Sequence, residues 1–230
     1  MGLIGYLIYF NTVKSDDFIN SPYNTRQDTF SDRVVRGSIL SSDGEVLAQT
    51  NVSEDGTEER SYPYGNTFAH VVGYDTNGKS GLESEANFQL LSSHEFFLNQ
   101  IRNEFMGTKN TGDSVVSTLS ADLQTTAYNS LGDRRGAVVA LEPSTGKILA
   151  MVSKPDFDPN TISENWDSLV NDETNSSLLN RATMGQYPPG STFKVVTALD
   201  YFRTHGSFNG FSFDCQGSIT KEGQDRKSVV

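Results

Sequence analysis

The sequence predicts an α+β fold, on three observations. An Asp43-Gly44 turn separates two β-prone runs, residues 34–40 and 45–48, and Asp-Gly is a strong hairpin signal. Two apolar runs, residues 136–141 and 148–153, flank Glu142-Pro143-Ser144-Thr145-Gly146-Lys147 and read as a second hairpin. Helical patterns follow Ser120 and Pro188-Pro189-Gly190, so helices and hairpins share one chain.

The first ten residues are apolar up to Phe10, half of the roughly 20 needed to span a bilayer. They lack a basic front end and a small-residue cleavage site, and Tyr6 breaks the myristoylation pattern. They fit either a short buried helix or the last half of a membrane anchor. Residues 16–31 are polar and contain Pro22, which reads as a linker. After the first hairpin, residues 51–60 read as an acidic exposed loop. Residues 68–74 form an apolar run fit for a strand, and residues 82–105 are helical in part. Residues 113–119 are β-prone, and Ser120 caps a helix over 121–131. The runs at 136–141 and 148–153 are apolar almost throughout, which predicts strands buried on both faces. Residues 155–175 read as a long polar loop holding Trp166. A helix is expected to open at Ser191, burying a stripe of Val195, Ala198, Leu199 and Phe202 and stopping at His205-Gly206.

Composition excludes several function classes. Of 230 residues, 35% are hydrophobic and 20% charged, with a formal net charge of -11. Such a polyanion argues against nucleic acid, which is bound by neutralising phosphates with Lys and Arg. Cys215 is the only cysteine, so no intrachain disulfide can form. The three histidines, His70, His94 and His205, lie far apart without zinc spacing, and no metal or cofactor is expected.

One tetrapeptide carries chemistry. Ser191-Thr192-Phe193-Lys194 is an S-x-x-K sequence, a pattern associated with acyl-serine enzymes. With 27 serines and 8 lysines, about one match arises by chance, so context must decide. Three matches occur. Ser144 to Lys147 is explained by the hairpin tip; Leu141 and Ile148 stand where a phosphate loop needs Gly and Ser or Thr. Ser218 to Lys221 lies in a polar tail. Ser191 alone follows a rigid Pro-Pro-Gly at a helix start, where the positive end of the dipole favours a developing alkoxide. Lys194, one turn on, shares its face. Beside a buried stripe its pKa is expected to fall from roughly 10.4 toward about 7–8, where it can take the serine proton. The alternative is Ser191 as an ordinary helix cap.

Several blocks in order resemble class B penicillin-binding proteins. Tyr187-Pro188-Pro189-Gly190-Ser191-Thr192-Phe193-Lys194 is similar to the family's active-site block, Arg135 through Met151 to its opening transpeptidase strands, and Asn180-Arg181-Ala182 to the segment before the nucleophile. Arg36-Gly37-Ser38-Ile39, Gly44-Glu45-Val46-Leu47-Ala48, Asn24-Thr25-Arg26 and Gly81-Leu82-Glu83 are similar to its N-terminal pedestal. The resemblance covers roughly residues 24–215. It implies a remnant of membrane anchor and linker at 1–30 and a β-rich pedestal at 31–112. Residues 113–230 would be the first part of a transpeptidase-like domain, an antiparallel sheet with helices on both faces.

It further implies a peptidoglycan D,D-transpeptidase with Ser191 as nucleophile and Lys194 as general base. Substrates would be stem peptides ending in D-Ala-D-Ala, with β-lactams as inhibitors. A membrane glycan polymerase would be a partner, and a single-pass anchor would hold the protein on the bacterial cytoplasmic membrane with its domains outside. The family's later S-x-N and K-T-G or K-S-G motifs have no counterpart here: Ser163-Glu164-Asn165, Ser207-Phe208-Asn209 and Lys79-Ser80-Gly81 fall in the wrong places. The 230 residues alone are therefore expected to be inactive. Alternatives are a non-catalytic scaffold contacting a glycan polymerase, or a serine D,D-carboxypeptidase or β-lactamase-like enzyme.

Overall fold

The computed structural model describes residues 2–10, 33–94, 97–212, 214, 218–221 and 224–227. The expected linker at 16–31, the Asn24-Thr25-Arg26 block and Cys215 lie outside the described residues. The chain divides into two units, Met1–Gly185 and Gln186–Val230. Helix α1 (Gly2–Tyr9) covers the apolar start. Among the described residues no helix is long and apolar enough to cross a membrane.

In the first unit, β1 is Val34–Val35 and β2 is Ile39–Leu40. β2 pairs antiparallel with β3 (Val46–Val52) across the Asp43-Gly44 turn, with Gly44 at φ 91°, the left-handed conformation that glycine admits freely. The expected acidic loop at 51–60 is half strand instead. β3 runs on to Val52 and pairs with β4 (Glu58–Ser61), leaving only residues 53–57 as the turn. One face of this second hairpin meets water, so its acidic residues are compatible with pairing.

The apolar run at 68–74 is likewise not a strand. A 3₁₀ turn, Gly65–Phe68, leads into the one-turn helix α2 (Ala69–Val72), which ends at Gly73 with φ 84°. Phe68, Ala69 and Val72 are buried at once, a demand that a turn of helix meets as well as a strand. Helices α3 (Gly81–Glu85), α4 (Asn87–Leu90) and α5 (Phe97–Met106) account for the helical reading of 82–105.

Strand β5 (Asn110–Thr111) pairs parallel with β1, and β6 (Val115–Val116) pairs parallel with β2. β6 completes a four-stranded sheet in the order β4-β3-β2-β6. Backbones close tightly here: a Cβ on Gly37 would lie 2.0 Å from the Asp113 carbonyl oxygen, and one on Gly112 2.0 Å from that of Leu90. Helix α6 (Ala121–Leu131) begins as expected, with Ser120 Oγ accepting from the Leu123 N–H at 3.3 Å.

Hairpin β7 (Gly136–Leu141) and β8 (Ile148–Lys154) forms where the sequence placed it. Only β8 is well buried; Val139 and Leu141 of β7 are exposed, which corrects the expectation of burial on both faces. Ala150 and Val152 pack with Ala127 of α6 in one cluster. A larger core joins Ile39, Leu47, Phe68, Val72, Leu90 and Leu119.

The loop expected at 155–175 contains helix α7 (Ile162–Val170). Asp158 accepts from the Asn160 N–H at 2.9 Å, Pro159 opens a 3₁₀ turn, and α7 follows. Ile162, Trp166 and Leu169 supply an i, i+4, i+7 stripe, which packs with Ala69, Tyr74 and Phe157.

Candidate active site

The second unit holds the S-x-x-K sequence. Gly190 takes φ 54°, a left-handed conformation that L side chains rarely adopt, and so turns the chain out of Pro188-Pro189. Gly190–Phe193 is then a 3₁₀ turn, and the α-helix proper, α8 (Lys194–His205), begins at Lys194. Ser191, where the helix was expected to open, thus stands one turn ahead of the α-helix, in the tighter geometry of the 3₁₀ turn. The Pro189 carbonyl fixes this turn by accepting both the Thr192 N–H at 3.1 Å and the Thr192 hydroxyl at 2.5 Å. The Lys194 N–H donates to the Ser191 carbonyl, the i to i+3 bond of a 3₁₀ turn. Three residues per turn bring side chains at i and i+3 onto the same line, so Ser191 and Lys194 share one face.

Ser191 and Lys194 are exposed. So are Val195, Leu199 and Phe202, and Ala198 with them. This corrects the expectation of a buried stripe beside Lys194. Nothing within the second unit covers that face among the described residues. An aromatic group does form at the C-terminal end of α8. Tyr201 stacks on His205 at 4.1 Å and meets Phe211 edge-on at 5.3 Å, and Phe202 approaches Phe208 at 5.5 Å. Gly206, at φ 75°, stops the helix as the sequence predicts, its N–H bonded to the Phe202 carbonyl at 2.7 Å.

The other matches have local explanations. Ser144 to Lys147 closes the β7–β8 turn, with the Gly146 N–H on the Glu142 carbonyl at 2.8 Å. Ser218–Lys221 is strand β9, paired with β10 (Gln224–Lys227). Lys79 lies in a turn at φ 56° before α3, Ser163 and Asn165 sit in α7, and the Ser207 hydroxyl accepts the Asn209 N–H at 2.8 Å.

In the first unit, three polar groupings escaped the sequence reading. Glu83, fully buried, lies between two arginines. Arg36 Nε donates to Oε2 at 2.7 Å and Arg60 Nε to Oε1 at 2.7 Å, while Arg36 Nη2 takes the Glu83 carbonyl at 2.6 Å. Gln124, also fully buried, donates to the carbonyls of Thr67 and Met151 at 2.8 Å each and accepts the Met151 N–H at 2.7 Å. It thereby fastens α6 to β8. Ser153 of β8 is bonded to the segment 179–181. Arg36, Glu83 and Arg181 stand in blocks that the resemblance marked, but no periodicity pairs residues 47 positions apart.

His70 and Asp75 are among the ionisable groups perturbed here. Burial holds the His70 imidazole below its ordinary pKa, against the opposing pull of the Pro155 carbonyl and Asp156; Arg181 adds to the depression. Burial also raises the Asp75 carboxyl, helped by Glu83 and opposed by Arg36 and Arg60.

Residues 136–226 match the family model of the penicillin binding protein transpeptidase domain, and residues 36–115 that of the penicillin binding protein A dimerisation domain. The chain belongs to the class B penicillin-binding proteins. A peptidoglycan D,D-transpeptidase PbpA of Mycolicibacterium smegmatis is 41% identical over 180 residues, covering 70% of this chain and 36% of the relative. Penicillin-binding protein A from M. tuberculosis, solved as an imipenem acyl-enzyme complex, superposes with a TM-score of 0.69 at 30% identity, over 84% of this chain and 48% of that one. The D,D-transpeptidase domain of a peptidoglycan glycosyltransferase from Eggerthella lenta gives a TM-score of 0.69 at 32% identity, over 85% and 43%. This class B chain thus spans about a third of the length of the PbpA relative it matches. The α+β fold expected from the sequence is that of these penicillin-binding transpeptidase structures.

Proposed function

We propose that the whole protein is a peptidoglycan D,D-transpeptidase in which Ser191 is the nucleophile and Lys194 its general base. One observation carries the assignment. Within the 136–226 match, Ser191 and Lys194 lie on one face of a 3₁₀ turn that Gly190 and the Pro189 carbonyl set. Lys194 accepts the Ser191 hydroxyl proton as Oγ attacks the penultimate D-Ala carbonyl of a stem peptide. The D-Ala–D-Ala amide breaks, the terminal D-Ala leaves with a proton, and an ester to Oγ remains. An acceptor amine from a second stem peptide then attacks the ester and frees Ser191. A β-lactam follows the first half: its ring amide opens, and the acyl group stays on Oγ. The relative described as an imipenem acyl-enzyme supports this half of the scheme.

Residues 31–112 are assigned in this reading to the pedestal, residues 113–230 to the catalytic domain, and residues 1–30 to an anchor and linker. The apolar helix α1 is the support for a single-pass anchor at the cytoplasmic membrane, with the remaining domains outside. A membrane glycan polymerase is the partner the pedestal would meet. The test is labelling of the whole protein with a fluorescent penicillin. A covalent band that Ser191→Ala removes supports the assignment, and a band that survives the substitution rejects it.

A further inference from the structure

The segment that precedes the nucleophile turn is held by a set of buried and part-buried polar contacts. Asn180 Nδ2 donates to the His70 carbonyl of helix α2 at 3.3 Å, while its Oδ1 accepts the Ala182 N–H at 3.0 Å. One amide therefore joins two places 110 residues apart in sequence to a local turn. The Asn180 carbonyl closes that turn by accepting the Met184 N–H at 2.8 Å. The next residue is anchored from the other side. The Arg181 N–H donates to Ser153 Oγ of β8 at 2.9 Å, and Ser153 Oγ donates to the Leu179 carbonyl at 3.2 Å. The Arg181 side chain, buried at 4% exposure, donates to the carbonyls of Ser176 at 3.2 Å, Leu179 at 3.4 Å and Asn175.

A compact core does not require a buried arginine, which costs free energy unless its donors are met. What the arrangement does provide is a defined exit. The chain leaves the first unit from a turn whose position is set jointly by α2 and β8, and Ser191 follows Met184 by seven residues, two of them proline.

On the Ser191 reading above, we propose that Asn180 is a positioning residue for acylation: its bond to the His70 carbonyl registers the pre-nucleophile turn against α2. The two halves of its amide separate the effect from simple folding. Asn180→Asp keeps an oxygen for the Ala182 N–H but loses the donor to the His70 carbonyl and the longer contact to Met151 Sδ at 3.8 Å. Asn180→Ala loses all three.

The test is the time course of fluorescent-penicillin acylation on the whole protein, analysed for the binding constant and the acylation rate of the fraction that labels. Both variants are expected to acylate about tenfold or more slowly, with binding changed less than about threefold, since a misplaced nucleophile loses rate rather than affinity. An Asn180→Asp protein that acylates like wild type overturns the proposal, because the local turn alone would then suffice. A smaller labelled fraction with an unchanged rate overturns it too, as the mark of a folding defect. Should Asn180→Ala fail to fold, Asn180→Asp alone decides between these outcomes. Failure of the underlying reading looks different: wild-type protein then shows no band, or one that Ser191→Ala leaves in place.

Discussion

Substituting Glu83 by Gln tests the buried charge cluster of the first unit. Glutamine keeps the size and one acceptor oxygen but replaces the other by an NH₂ that faces a guanidinium. Both Glu83 oxygens are engaged at 2.7 Å by arginines whose side chains are only 9% and 6% exposed, so little water can take over. Removing one partner from a buried pair typically costs about 3–5 kcal/mol, which in a protein of this length lowers Tm by roughly 6–20 °C. Arg36→Met costs less, about 1–3 kcal/mol, because Glu83 keeps Arg60, although the Arg36 bonds to the Glu83 carbonyl and to Asn87 are lost as well. Urea denaturation of wild type and both variants measures the order directly. A Glu83→Gln variant within about 1 kcal/mol of wild type, or no less stable than Arg36→Met, would refute the view that the cluster is sealed from solvent.

Other expectations follow from single groups. Gln124→Leu leaves the Met151 N–H and two carbonyls unmet inside the protein and should destabilise it by about 2–4 kcal/mol, read by the same denaturation curves. His70 is held neutral by burial, so the unfolded chain binds the extra proton first as pH falls. Its contribution to stability is complete above about pH 6.5 and shrinks below it, by up to about 1.4 kcal/mol per pH unit. His70→Asn should flatten that slope in melts taken between neutral and mildly acidic pH; an unchanged slope places the effect elsewhere. Lys194→Ala should slow acylation by about 10²- to 10⁴-fold, the usual worth of a general base, with penicillin binding little altered.

The sequence made the hairpins legible because turn chemistry is local: Asp43-Gly44 and the 142–147 tip need no partner to be read. The same holds for the Ser120 cap and the Gly206 stop. Helix α2 was misread because a mostly apolar run of seven residues has no period long enough to separate helix from strand. Helix α7 was missed because polar residues between Ile162, Trp166 and Leu169 hid a three-membered stripe. The strand content of 51–60 was hidden for a similar reason, since an exposed hairpin needs no apolar alternation on its outer face. Ser191 and Lys194 were singled out by their place after Pro188-Pro189-Gly190 rather than by spacing, but the 3₁₀ character of their turn depends on the left-handed Gly190 and on Thr192 bonding back to Pro189, which that placement does not reveal. The Glu83 cluster, Gln124 and Asn180 act across long sequence separations, where a single chain offers no pattern to follow.

The central claim is that Ser191 is the residue acylated. The most direct measurement is mass spectrometry of the whole protein after reaction with a penicillin, with the modified peptide sequenced. A single penicilloyl adduct on the Ser191 hydroxyl, absent in Ser191→Ala, is expected. An adduct on any other residue, or acylation that persists in Ser191→Ala, would contradict it.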